Sequence, residues 1–204
     1  MKQTLLAASM LAALPLVSQA DVVISNLGEP PRDTTEISTA LWAAQSFSTG
    51  ASGGALTAID LVLGNLLGTP GIVAELRAAS GSSLGVTLTA LNFGSVTSAA
   101  PVVTAFTPAS AVNLAPNTTY WIVMGASGAG SFGWTYAEGN GSTGAGALLQ
   151  YAYSSDLGAN WDAFGTDNPY YVQVSVSAVP EPASAWLLLA GAALLAAARR
   201  SRAT

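Results

Sequence analysis

The 204-residue chain contains no cysteine and no histidine, and its only lysine is Lys2. Without thiols there is no disulfide, no thiolate nucleophile and no Cys-ligated zinc; without imidazole there is no Ser-His-Asp or Cys-His relay and no His-bound metal. A lysine confined to the second position leaves no Schiff-base chemistry in the body of the chain. Charge is scarce as well, at 8% of residues against about 25% in average globular proteins. Lys2, Arg199, Arg200 and Arg202 lie near the ends, so residues 21–178 keep only Arg32 and Arg77 against ten carboxylates, a formal charge of −8. A body so poor in cations cannot replace phosphate counterions, which excludes nucleic acid as a partner. Of the common acid–base mechanisms, a glycosidase-like carboxylate pair remains, and sequence cannot place two carboxylates at the roughly 5 or 9 Å it needs. Most of the acids sit within two residues of Gly, Asn or Pro and read as solvated loop residues. The expectation is a protein that is not an enzyme and needs no cofactor.

The ends are of a different character from the middle. Met1-Lys2 is a short positive start, Leu5 to Val17 is apolar apart from small residues and Pro15, and Ser18-Gln19-Ala20 puts small residues at −3 and −1. These are the parts of a secretory signal peptide over residues 1–20, with cleavage expected between Ala20 and Asp21 and export through the Sec machinery. At the other end Val179-Pro180-Glu181-Pro182 precedes an apolar run from Ala183 to Ala198, then Arg199-Arg200-Ser201-Arg202. Two prolines around Glu181 disfavour helix and sheet and hold the backbone extended, as a protease recognition segment requires. The 16-residue run spans about 24 Å as a helix, short of the roughly 20 residues of a comfortable membrane span. Arg199, Arg200 and Arg202 stop transfer and predict a cytoplasmic C-terminus by the positive-inside rule. The body between then lies outside the cytoplasm.

The tetrad, apolar helix and terminal arginines of residues 179–204 resemble the PEP-CTERM sorting signal of Gram-negative bacteria that make extracellular polysaccharide. The resemblance implies recognition near the tetrad by exosortase, a membrane-embedded transpeptidase-like enzyme. It further implies an inner-membrane intermediate, removal of the helix, and release to the cell surface or extracellular matrix. The chain would then touch the membrane only through the C-terminal helix before processing.

Residues 21–178 read as one domain, long enough to bury a core without disulfide or metal. Ten short runs rich in β-branched or aromatic residues follow one another: 22–24, 45–49, 56–63, 72–76, 86–91, 102–106, 118–124, 132–136, 148–153 and 170–176. Turn signals such as Gly53-Gly54, Gly68-Thr69-Pro70-Gly71 and Gly139-Asn140-Gly141 separate them. The pattern predicts an all-β antiparallel sandwich or jelly roll of about ten strands between an N-terminal signal helix and a C-terminal transmembrane helix. Thr34 to Trp42 is expected to hold a helical turn or two. The segments Ala44 to Gly50, Leu56 to Leu61 and Leu114 to Val123 also resemble exported domains known as choice-of-anchor, nearest to type R. That resemblance implies a β-sandwich body without an established activity.

Two features are candidates for ligand contact. Ser154-x-Asp156-x-Gly158-x-x-Trp161 fits the Asp-box pattern, with Asn160 where Thr is usual. Its physics is a stapled hairpin in which Asp accepts backbone N–H bonds, Gly takes positive φ and Trp packs beneath. Oxygen ligands at Asp156, Asn160, Asp162 and Asp167 make calcium the one metal to consider, although the spacing fits no EF-hand. Aromatic residues crowd the last third: Trp134, Tyr136, Tyr151, Tyr153, Trp161, Tyr170 and Tyr171. Sugar rings stack on such faces, so Asp156, Trp161, Trp134 and Tyr153 are the candidate contacts of an alternative reading, a carbohydrate-binding module for matrix polysaccharide. Ser80, Ser82, Ser83, Thr97 and Ser98 are candidate O-glycosylation positions in expected loops.

Overall fold

The computed structural model describes residues 20–163 and 165–177. Thirteen strands succeed one another, with no helix among the described residues: β1 (Ala20–Ser25), β2 (Pro31–Ile37), β3 (Trp42–Ser48), β4 (Gly54–Leu67), β5 (Gly71–Ser80), β6 (Ser83–Asn92), β7 (Val102–Pro108), β8 (Asn113–Leu114), β9 (Thr119–Ser127), β10 (Ser131–Ala137), β11 (Ala147–Ser154), β12 (Asp162–Ala163) and β13 (Val172–Ser177). Each of the ten apolar runs lies in or overlaps a strand. The additions are β2, whose sequence is mostly polar, and the two-residue β8 and β12, too short to show a period.

Pairing is antiparallel throughout, along the path β1-β13-β4-β7-β6-β5-β9-β3-β11-β12, with β10 bridging β4 and β2 and β8 beside β4. The two halves stay joined where Leu91 and Asn92 of β6 meet Pro108 and Thr107 of β7. The result is a nearly closed antiparallel sheet. The expected signal helix and C-terminal helix fall on residues outside those described.

The core forms because inward positions of both halves carry large apolar side chains. Phe47, Ile59, Leu61, Phe106, Ile122, Phe132, Trp134 and Val174 are fully buried together. In β4, Leu56 and Ile59 both face inward although three residues apart, which a regular strand forbids. A register shift opposite Ser175 and Val176 inserts the extra residue and restores the face. Strand β9 is buried from Tyr120 to Ala126 because a second apolar cluster, Trp42, Ala44, Trp121, Val123 and Ala152, covers its outer face.

The helical turn expected between Thr34 and Trp42 is not formed. Thr34, Thr35 and Ile37 extend as β2 against β10, with the Thr34 and Thr135 hydroxyls 3.2 Å apart across the pair. Ser38 and Leu41 then exchange backbone hydrogen bonds in a turn leading into β3. β-branched residues lose little in a strand, and β10 supplies the backbone partners that a local helix would otherwise have supplied.

Candidate functional site

The most elaborately held segment is the short stretch before β13. Asn26, buried at 1% exposure, donates through Nδ2 to the Tyr170 carbonyl (3.0 Å) and accepts from the Val172 amide (2.7 Å). Gln45, fully buried, accepts from the Tyr170 amide (3.0 Å) and donates to the carbonyls of Ser46 (3.0 Å) and Gln150 (3.2 Å). Unpaired polar groups at these depths are costly, so each side chain closes the hydrogen bonds of a segment that is not itself in a ladder. Tyr170 is thereby fixed from both sides. Its ring stacks on Trp134 with centroids 4.2 Å apart and meets Tyr136 edge-on at 6.1 Å. Its hydroxyl donates to Thr35 Oγ1 (2.8 Å) and lies 3.0 Å from that of Tyr153. Burial first, then the neighbouring Tyr153, pushes the Tyr170 phenol far up, so it stays neutral.

Above this support lies a cavity of about 190 Å³ lined by Arg32, Thr35, Tyr136, Tyr151, Tyr153, Asp167, Asn168 and Tyr170. Tyr151 and Tyr153 are half-buried, their rings 5.7 Å apart and inclined at 52°. Arg32 donates to Asn168 Oδ1 at 3.1 Å. Arg77, the other cation of the body, is held by Glu75 at 2.7 Å, the one ion pair among the described residues. Asn168 has a positive φ of 59°, a conformation its short amide tolerates, and its Oδ1 also accepts from the Gly139 amide at 3.5 Å.

The candidate residues fall in three places. Tyr153 is in this cleft. Trp134 is entirely in the core, its Nε1 donating to the Tyr171 carbonyl at 3.2 Å, so it presents no face to a ligand and acts as the floor beneath Tyr170. Asp156 and Trp161 are on the hairpin between β11 and β12. There Asp156 Oδ1 accepts from the Ser154 hydroxyl (2.7 Å) and the Asn160 amide (2.9 Å), and Oδ2 accepts from Asn160 Nδ2 (2.6 Å). Gly158 takes a φ of 83°, its amide donates to Ser154 Oγ (2.9 Å), and Trp161 Nε1 donates to its carbonyl (3.0 Å). These bonds, the Asn160 amide above all, lower the Asp156 carboxyl to about 2. Asn160 in place of the usual Thr thus adds a side-chain bond to the staple. Among the described residues no three Asp or Glu side chains are grouped where they could hold a metal ion. Arg32, Thr35 and Asn168 were not singled out by sequence. The available signal was that Arg32 is one of only two cations in the body.

The expected signal-cleavage residues lie at the start of the first strand. Ala20 and Asp21 open β1 and pair with Ser177 and Val176 of β13, so both ends of the body leave the same sheet side by side. Val179, Pro180, Glu181, Pro182, Arg199, Arg200 and Arg202 lie outside the described residues. Residues 178–203 match the PEP-CTERM protein-sorting motif. This motif marks the protein for export, exosortase processing and sorting to the cell surface. No curated protein matches the chain.

Proposed function

We propose that the chain is a non-catalytic component of the bacterial surface or extracellular polysaccharide matrix, its body delivered by Sec and freed when exosortase acts at Val179-Pro180-Glu181-Pro182. The observation that carries this is the sorting motif at 178–203, beginning directly after β13 ends at Ser177. The cut is then made beside a finished sheet and takes no strand with it. An inner-membrane intermediate precedes the mature form, and no metal or cofactor takes part. The absence of histidine and cysteine supports the non-catalytic reading. A choice-of-anchor-like body is favoured by the pairing of Ala43–Ser48 with Met124–Thr119, which brings two of the resembling segments together. The alternative, a carbohydrate-binding module, has one observation in its favour, the tyrosine-lined cleft.

Cell fractionation tests the route. With an epitope in the exposed Gly139–Gly141 turn, the wild-type chain is expected at the surface or in the medium, shortened at its C-terminus. Replacement of Pro180, Glu181 and Pro182 by Ala should hold it in the inner membrane with its tail attached. An intact wild-type chain in the cytosol would end the proposal.

A further inference from the structure

Backbone chemistry without an enzyme needs an unpaired amide nitrogen beside a side-chain carbonyl, and one turn of the body supplies both. Asn140 is followed by Gly141, whereas every other asparagine precedes a larger residue. With no Cβ the Gly141 nitrogen is unshielded and free to rotate toward the side chain before it. Asn140 and Gly141 are exposed and outside every strand, in the connection between β10 and β11. The amides of Gly139 and Thr143 on either side are bonded, to Asn168 Oδ1 and the Ser25 carbonyl. Among the described residues the Gly141 N–H has no such partner. The Asn140 side chain is held only by a long contact, Nδ2 to Thr166 Oγ1 at 3.5 Å.

A base stands beside this pair. The Glu29 carboxylate is packed against Gly141 so closely that a Cβ there would collide with both its oxygens. Residue 29 is itself anchored through its backbone, its amide donating to the Asn26 carbonyl (3.1 Å) and its carbonyl accepting from the Tyr171 hydroxyl. Asparagines in other turns lack one of these parts. Asn117 precedes an amide fixed on Thr49 Oγ1 at 3.1 Å. Asn160 is tied to Asp156 through both its nitrogens, and Asn168 precedes Pro169, which has no N–H.

We propose that Asn140-Gly141 is a self-modifying site at which the asparagine amide is lost, with Glu29 as the proton acceptor. The Gly141 nitrogen adds to Asn140 Cγ while its proton passes to the Glu29 carboxylate. Glu29 returns that proton to Nδ2, which leaves as ammonia, and a succinimide ring remains. Water opens the ring at either carbonyl to give aspartate or isoaspartate at position 140. One water is consumed and one ammonia released, with no oxidant and no other reactant. The attack is intramolecular, and a carboxylate pressed against the reacting residue is placed to act as general base. The product adds a negative charge beside Glu29. As isoaspartate it also lengthens the connection that bonds to β1 through Thr143 and Gly146. The chemistry is independent of the export route.

Incubation of the full chain in detergent at neutral pH in heavy-oxygen water tests it. Tandem mass spectrometry then reads the segment that a Glu-specific protease frees after Glu138. Asn140 should gain the mass of an NH-to-O exchange carrying the heavy label, faster than any other asparagine and with isoaspartate as the major product. Asn140→Gln should abolish the gain, because the longer side chain closes the ring poorly. Glu29→Gln keeps the backbone bonds of residue 29 and should melt as wild type. It should slow the conversion about tenfold, short of the roughly 10²–10⁴-fold of a fully positioned general base. In urea the Glu29→Gln and wild-type chains should convert at one rate, since unfolding separates Glu29 from Gly141. Retention of the amide at 140 would overturn the site. Equal rates for the two folded chains, or a gap that persists in urea, would overturn it as well.

Discussion

Single side chains in this protein act mainly by closing hydrogen bonds that the ladders leave open. Gln45 is the clearest instance, because its amide serves three backbone groups that include the Tyr170 N–H. Gln45→Leu should destabilise the fold by about 1–3 kcal/mol, the cost of leaving such a group unpaired, read as a lower midpoint in urea. Asp156 acts at the surface through its staple. Its carboxyl falls from 3.8 to about 2 on folding, so the folded state favours the ionised form. The stabilisation is fully present above the unfolded value and is lost as pH falls through the folded one. Asp156→Asn should therefore lower the melting temperature more at pH 7 than near pH 2, where the folded carboxyl is about half protonated. Equal effects at both pH values would mean that the charge-dependent bonds of the hairpin carry no stability. This hairpin was readable from Ser154, Asp156, Gly158 and Trp161 because its bonds are local; the fate of Trp134 was not, because burial depends on distant strands.

Strands are shaped here by what covers them. Strand β9 has both faces buried, and its outer face is sealed where the Trp42 indole lies flat over Gly125, leaving no room for a Cβ. Gly125→Ala should push Trp42 off the sheet and cost about 1–3 kcal/mol, the range for overpacking a filled site, with a change in tryptophan emission. Strand β1 shows the same dependence on its neighbours. Val23 and Ile24 are fully buried, whereas Ala20, Asp21 and Val22 are exposed. A cut before Asp21 therefore leaves the anchoring residues in place. β2 escaped the sequence pattern because Pro31 and the polar Arg32, Asp33 and Glu36 are exposed on a strand paired along one side with β10, so no apolar alternation is needed.

The whole sheet is completed by its last strand. β13 lies between β1 and β4, so the first and last described strands are neighbours and the pairing that joins them waits for the end of synthesis. Such long-range closure makes for slow folding. A chain ending at residue 171 should lose the cooperative thermal transition, whereas one ending at residue 178 should keep it, as followed by circular dichroism. Because β13 stops at Ser177, exosortase processing should leave the melting temperature of the body unchanged.

Composition alone removed thiol and imidazole chemistry and left no lysine in the body, and the tetrad, apolar run and arginines of the C-terminal end pointed to the sorting motif found at residues 178–203. The β class followed from short apolar runs and the turns between them, since period and turn chemistry are properties of neighbouring residues. The nearly closed sheet, the burial of Trp134 and the meeting of Arg32 with Asp167 and four tyrosines came only with the fold. Those bring together residues as much as 157 positions apart, as Ala20 and Ser177 are where β1 pairs with β13, and no local pattern encodes which distant side chains share a cavity once the backbone has closed around a core.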